Sequence, residues 1–142
     1  MDRKTPYLVA DALVIKRAKE IEILLVKRKR GAFIGHWALP GGFVEIGETL
    51  KNAAAREVLE ETCLKVKPER IIGIYDDPKR DPRGHMVSVV FLCSIKGGKL
   101  KPQPEEVSEV RFFPVLKIRK LKIAFDHRKI INDALKMRRR KA

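Results

Sequence analysis

The sequence predicts an α/β layered domain built on a mixed sheet. Apolar, β-branched runs of strand length recur along the chain, and two stretches of helical periodicity interrupt them. Neither helix stands between regularly alternating strands, which favours a mixed sheet with helices layered on it. At 142 residues, 44% of them hydrophobic, residues 1–142 form one domain with enough apolar surface for a core.

The elements follow in order. "YLVADALVI" (7–15) and "IEILLVKR" (21–28) read as strands, with "KRAKE" between them as a polar hairpin turn. In "KRGAFIGHWALPGGFVE" Gly and Pro break any helix, and Trp37 is available as an anchor. Residues 49–62 read as a helix, with Thr49 as N-cap and Ala53, Ala54 and Ala55 as strong helix formers. At 100° per residue Glu57, Glu60 and Glu61 share one arc of it, and Ala55, Val58, Leu59 and Thr62 the opposite one. "RIIGIYDD" and "MVSVVFLCSI" are further strands, joined by the loop "PKRDPRGH"; "KGGKLKPQPEE" is turn-rich and "VRFFPV" a short strand. Asp126 is expected to cap a last helix whose Ile130, Ile131, Ala134 and Leu135 form one stripe, and whose basic end suits the negative pole of the helix dipole.

Charge narrows the partners. The formal net charge is +14, and residues 117–142 hold 11 Lys or Arg against Asp126 and Asp133. Such a surface favours anionic partners. No apolar run approaches the roughly 20 residues of a membrane span, and the first residues lack a signal-peptide cleavage site, so the cytoplasm is expected. Cys63 and Cys93 are too few for a disulfide framework and read as small buried hydrophobes. One Gln, two Asn and 35% charged residues resemble the composition of heat-adapted proteins.

The acidic arc is the informative feature. Residues 57 and 61 lie one helical turn apart, their Cβ atoms about 5–6 Å from each other, so like charges there repel unless a cation offsets them. Arg56 points to one side of the Glu57–Glu61 line. Mg²⁺ matches better, because it prefers carboxylate oxygens and keeps other positions for water and substrate phosphates. Gly41 and Gly42 would let the backbone approach this centre, with the Gly41 carbonyl as a ligand.

Gly42, Glu48, Arg56, Glu57, Glu60 and Glu61, with apolar Val58 and Leu64, match in order and spacing the Nudix box, and "WALPGG" extends the match. The chain therefore resembles the Nudix hydrolases. That resemblance implies the Nudix fold, a mixed β-sheet sandwiched between α-helices, and hydrolysis of a nucleoside diphosphate linked to another group. It implies Glu57 and Glu61 as main ligands of Mg²⁺, or of Mn²⁺, with Glu60 as a further ligand or a partner of metal-bound water. Glu48 and Arg56, with Gly42, would support the loop and helix. The general base varies in this family; Glu57, Glu60, Glu61, Glu105 and Glu106 are the candidates. One position departs: the family's Gly after the helix is Cys63 here, where a left-handed residue is expected at a cost of roughly 1 kcal/mol.

Pro78, fourteen residues beyond Leu64, together with "RDPRGH" and "AFDHRKII", resembles the short prokaryotic ADP-ribose pyrophosphatases. ADP-ribose would be cut to AMP and ribose 5-phosphate. Arg80 and Arg83 suit phosphate or ribose oxygens, and Asp81 suits ribose hydroxyls. His85 and His127 read as structural histidines. The competing substrates are an oxidised nucleoside triphosphate or a dinucleoside polyphosphate. A non-catalytic ADP-ribose sensor is disfavoured by the intact carboxylates. A nucleic-acid binder is disfavoured because "KMRRRKA" lacks interleaved aromatics. A homodimer is the assembly that relatives commonly adopt.

Overall fold

The structure, a computed structural model, describes residues 3–141. The end of the basic tail, Ala142 and the side chains of 139–141, lies outside the described part. The element order is β1 (Tyr7–Arg17), β2 (Ile21–Arg28), β3 (Trp37–Ala38), β4 (Gly41–Phe43), α1 (Leu50–Thr62), β5 (Leu64–Tyr75), β6 (Met86–Gly98), β7 (Val107–Pro114), α2 (Val115–Ile118) and α3 (His127–Lys141). The strands form a mixed sheet in the order β3-β2-β1-β6-β5, with β4 added to β1 and β7 to β2. No described helix is long and apolar enough to cross a membrane.

Strand β1 organises the sheet by changing partner along its length. It runs parallel to β6 from Tyr7 to Val14. On its other side Val9–Asp11 pair with β4, and Ile15–Arg17 pair with β2. The sheet therefore parts where β1 passes from one neighbour to the next.

Alternation in β1 sends side chains to two cores. Ala10, Ala12 and Val14 pack with Ala53, Ala54 and Val58 of α1. Leu13 packs on the other face with Trp37, Phe113, Ile118, Ile130 and Ile131, under α2 and α3. The result is a sheet between helices, as expected.

Helix α1 begins where the sequence places it. Thr49 Oγ1 accepts the Asn52 N–H at 3.1 Å, a cap worth about 1 kcal/mol. Its buried residues are Ala53, Ala54, Val58, Glu61 and Thr62. Leu59, expected inside, is 45% exposed, and Glu61, expected outside, is 8% exposed. The sheet lies further round the helix than the Ala-Val-Leu arc indicates, because the small Ala53 and Ala54 let it approach. Cys63 ends the helix at φ 63°, ψ 6°, its N–H bonded to the Leu59 carbonyl. The residue standing where the family has Gly thus takes the left-handed conformation.

Four elements differ from expectation. Strand β5 starts at Leu64, directly after the helix, and carries Pro68 within it, which its edge position permits. "WA" and "GGF", expected as loop, are short strands, and "VLKI" is a one-turn helix. The Asp126 carboxylate, expected as a cap, is turned to Arg80 instead. Cys93 is buried as expected, and burial pushes its thiol up to about 12, whereas Cys63 is half-buried.

Candidate active site

The parting beside β1 opens into a cleft of about 340 Å³, within the range of small-ligand sites. One wall is acidic. Glu57 and Glu61 reach it from α1, Asp11 from β1, and Glu106 from the turn before β7. The rest of the lining is basic, with Arg28, Lys29 and Arg30 at and after the end of β2 and Arg83 from the 76–85 loop, and Phe125 lines it too.

On the acidic wall, backbone and carboxylates meet closely. The Gly41 N–H donates to Glu61 Oε2 at 3.2 Å. A Cβ on Gly42 would stand 2.5 Å from the Glu57 carboxyl carbon, and one on Gly41 would stand 2.0 Å from Asp11 Oδ1. Only glycines let the β4 backbone lie against these acids. Burial, and then the Glu57 charge, raise Glu61 well above the usual carboxylate range. Burial also raises Glu57, against the pull of Arg56. Asp11 is pushed up to about 6 by burial, although Ser88 Oγ donates to it at 2.5 Å.

Arg56 joins the cluster, although its place on the helix points it to one side. Its Nε and Nη2 bind Glu48 at 2.6 and 3.0 Å. Nη1 reaches Glu57 at 2.9 Å and Glu60 at 3.2 Å, and Nη2 also holds the Phe43 carbonyl at 3.0 Å. A long guanidinium stem spans what the Cβ direction alone suggests is out of range. Glu48 and Arg56 tie the loop to the helix in this way.

Glu60 separates from its neighbours. Its side chain is 53% exposed and bound to Arg56, so it does not face the cleft. The sheet fits against the side of α1 that carries Glu57 and Glu61, which leaves Glu60 at the solvent edge. Among the described residues no three His, Cys, Asp or Glu side chains converge as a ready metal cluster. The pair Glu57 and Glu61, with the β4 backbone beside them, still fits a hard divalent ion. Two adjacent carboxylates, one buried and one half-buried, hold their charge at a cost that such an ion relieves. Glu105 lies outside the cleft lining, whereas Glu106 is in it, 3.6 Å from Arg30.

In the 76–85 loop the expected ligands Arg80 and Asp81 line the cleft, but internal partners hold both. Arg80 was expected to bind phosphate or ribose, yet its side chain is 5% exposed. Its Nη2 and Nε hold Asp126 at 2.7 and 2.9 Å. Burial needs a charged partner for the guanidinium, and Asp126 supplies it. Asp81 is likewise engaged, accepting from the Arg83 N–H, Nε and Nη2. Arg83 keeps an exposed face and lies 5.1 Å from the centre of the Phe125 ring.

Arg28 approaches the same ring at 4.8 Å, and half-burial and then the Arg83 charge lower its affinity for its proton. Two guanidiniums against one ring in the cleft form a place that favours an anion. Sequence reasoning missed Asp11, Arg28 and Phe125. A lone acid in the apolar run "LVADALV" was a usable signal for Asp11; nothing local marks the other two.

His85 and His127 both make internal hydrogen bonds, and His127 also lines the cleft. His127 Nδ1 accepts the Leu39 N–H at 3.0 Å, and burial lowers the ring to about 3, so it is neutral. Its Nε2 stands 3.9 Å from Asp11, too far for a hydrogen bond and without charge for an ion pair. His85 Nε2 lies 3.0 Å from the Asp76 carbonyl.

Residues 6–134 match the family model described as NUDIX domain. The chain belongs to the Nudix family. It is a Nudix hydrolase, and enzymes of this family generally use divalent metal ions. It is 45% identical over 131 residues to the ADP-ribose pyrophosphatase of Methanocaldococcus jannaschii, an alignment covering 92% of this chain and 74% of that one. Its fold matches the NUDIX domain of Shewanella oneidensis NrtR complexed with ADP ribose, with a TM-score of 0.84 and 27% identity, covering 95% and 90% of the two chains. A bifunctional NMN adenylyltransferase/ADP ribose pyrophosphatase from Francisella tularensis, complexed with AMP and Mn ion, matches with a TM-score of 0.82 and 28% identity. That match covers 96% of this chain and 43% of the Francisella one.

Proposed function

We propose that this Nudix hydrolase splits the pyrophosphate bond of ADP-ribose in a Mg²⁺-dependent reaction, giving AMP and ribose 5-phosphate. The observation that carries the reading is one cleft lined both by half-buried Glu57 and buried Glu61 and by the Arg28–Phe125–Arg83 group. The 45% identity to the Methanocaldococcus enzyme supports the choice of substrate.

In this reading Glu57 and Glu61, with the Gly41 carbonyl, hold the ion, and Mn²⁺ would serve in its place. When bound, such an ion neutralises phosphate oxygens and makes water more acidic. The residues of the chain do the rest. Arg28 and Arg83 bind substrate oxygens on the basic wall and fix the diphosphate against the acids. Water attacks one phosphorus, the bridging P–O bond breaks, and Glu106 accepts the water's proton. Arg56 orients Glu57 and offsets part of the effect of its burial. The reading takes residues 1–142 as one catalytic domain, active in the cytoplasm. It also takes the enzyme as a homodimer, which light scattering of the purified protein checks.

Hydrolysis in ¹⁸O water of a panel of nucleoside diphosphate derivatives with Mg²⁺, analysed by mass spectrometry, tests it. ADP-ribose should be the best substrate, with label in one monophosphate product. Faster cleavage of an oxidised nucleoside triphosphate or a dinucleoside polyphosphate would transfer the same machinery to that substrate.

A further inference from the structure

We propose that Asp126 and His127, adjacent at the start of α3, are positioning residues that hold the two walls of the cleft separately: Asp126 the substrate wall, His127 the metal wall. The kinetic part of this rests on the hydrolase reading above; the contacts do not.

Asp126 acts through Arg80. The doubly hydrogen-bonded pair, at 2.7 and 2.9 Å, fastens the 76–85 loop to the head of α3. That loop carries Arg83, which lies against the Phe125 ring, and the ring also meets Arg28. Phe125 sits at φ 53°, a conformation that a bulky residue adopts only where its surroundings hold it. Asp126, tied to Arg80, holds its C-terminal side; the His127 ring also meets it, centres 5.2 Å apart, an apolar contact that leucine at 127 keeps. Loosening Arg80 from Asp126 would therefore release the arrangement of Arg28, Phe125 and Arg83 while leaving α1 untouched.

His127 acts in the other direction. Its Nδ1 takes the Leu39 N–H. The Pro40 carbonyl then accepts from the Ala12 N–H at 2.9 Å, and the Gly41 N–H donates to Glu61. Leu39, Pro40 and Gly41 are consecutive, so these bonds pin one short backbone stretch between the neutral imidazole and the carboxylate that would bind the ion. An acceptor at Nδ1 is what the position requires, because the Leu39 N–H would otherwise be buried without a partner. Asparagine places an oxygen near Nδ1; leucine places none.

Steady-state kinetics and Mn²⁺ titration of the full chain separate the two roles. His127→Leu should lower kcat and weaken Mn²⁺ binding by about tenfold each, with KM within about threefold, and His127→Asn should restore most of both. Arg80→Met should raise KM about tenfold with kcat and Mn²⁺ affinity within about threefold of the parent. If His127→Leu does not fold, His127→Gln replaces it, since its amide lies at the Nε2 position and misses Leu39. The proposal is overturned if the two sites change kcat and KM in the same proportion. It is equally overturned if asparagine does no better than leucine or glutamine, or if Arg80→Met weakens Mn²⁺. A parent enzyme that spares ADP-ribose but cleaves another nucleoside diphosphate derivative would refute the substrate reading alone. The variants are then measured on that compound, and the Mn²⁺ titration stands unchanged.

Discussion

Replacing Glu61 by glutamine should stabilise the metal-free protein while removing its activity. Glu61 is 8% exposed and shares the inner side of α1 with Glu57, one turn away. At about 6 Å and an effective dielectric near 20, two carboxylates repel by about 3 kcal/mol. Arg56 offsets part of this at Glu57, so a gain of about 2 kcal/mol, or roughly 4–8 °C in Tm, is expected. Glutamine keeps an oxygen to accept the Gly41 N–H, so the hydrogen bond is not lost. The folded pKa of Glu61 lies above its unfolded value. The wild type therefore recovers stability as pH falls through that folded pKa, and the advantage of the mutant should be large at pH 8 and shrink toward pH 5. Saturating Mg²⁺ should reverse the order, because ion binding to the native state stabilises only the wild type. Turnover should fall by about 10²–10⁴-fold, the scale of losing a metal-binding carboxylate. Thermal unfolding in chelator and in Mg²⁺, at both pH values, measures the stability changes, and the hydrolysis assay measures the turnover. A Glu61→Gln variant no more stable than the parent in chelator at pH 8 would refute the argument that these buried charges are held for an ion.

Cys63→Gly should raise Tm by about 2–4 °C, because a left-handed residue with a Cβ is strained by about 1 kcal/mol and the side chain is only half-buried; differential scanning calorimetry reads it. Glu106→Gln should lower kcat by about 10²-fold with little change in KM, whereas Glu105→Gln, outside the cleft, should leave both near wild type in the same assay. Glu60→Gln should lower turnover less than Glu57→Gln, by about tenfold against 10² or more, since Glu60 faces Arg56 and solvent. Equal losses at 57 and 60 would mean that Glu60 swings into the cleft when the ion binds. Activity undiminished in excess chelator would remove the metal from the mechanism.

Much of this arrangement is legible in the chain because it is local. The box from Gly42 to Glu61 runs from the short strand β4 through one turn into one helix, so its spacing translates directly into geometry: Thr49 caps the helix, Cys63 turns left-handed, and Glu57 and Glu61 fall together. The sheet shows in strands that alternate or are wholly apolar. What does not show is set by distant pairing. Glu60 shares the acidic arc by angle, but the sheet's placement against Ala53 and Ala54 turns it outward. Arg80 and Asp81 looked like free ligands in a loop. Their partners decide otherwise, and one of them, Asp126, is 46 positions away. Arg28 and Phe125 meet only after β2 and the segment leading into α3 have packed together.

The placement of acids in so basic a chain has an electrostatic reason that the cleft makes plain. Its lining contains five acids and five Lys or Arg side chains, so it is balanced locally while the chain carries +14. The balance is not mixed but divided. Asp81 neutralises Arg83 inside the 76–85 loop, Asp126 neutralises Arg80 and Glu106 pairs with Arg30, which leaves Arg28 and Lys29 to balance Glu57, Glu61 and Asp11. A polyphosphate alone would be repelled by the acidic wall, and a divalent cation alone would be repelled by the basic one. Bound together, each screens the wall that rejects the other, so the affinities for ion and diphosphate must rise together, and by linkage equally. A basic exterior then draws the anion in, and the acids admit it only in company with the ion.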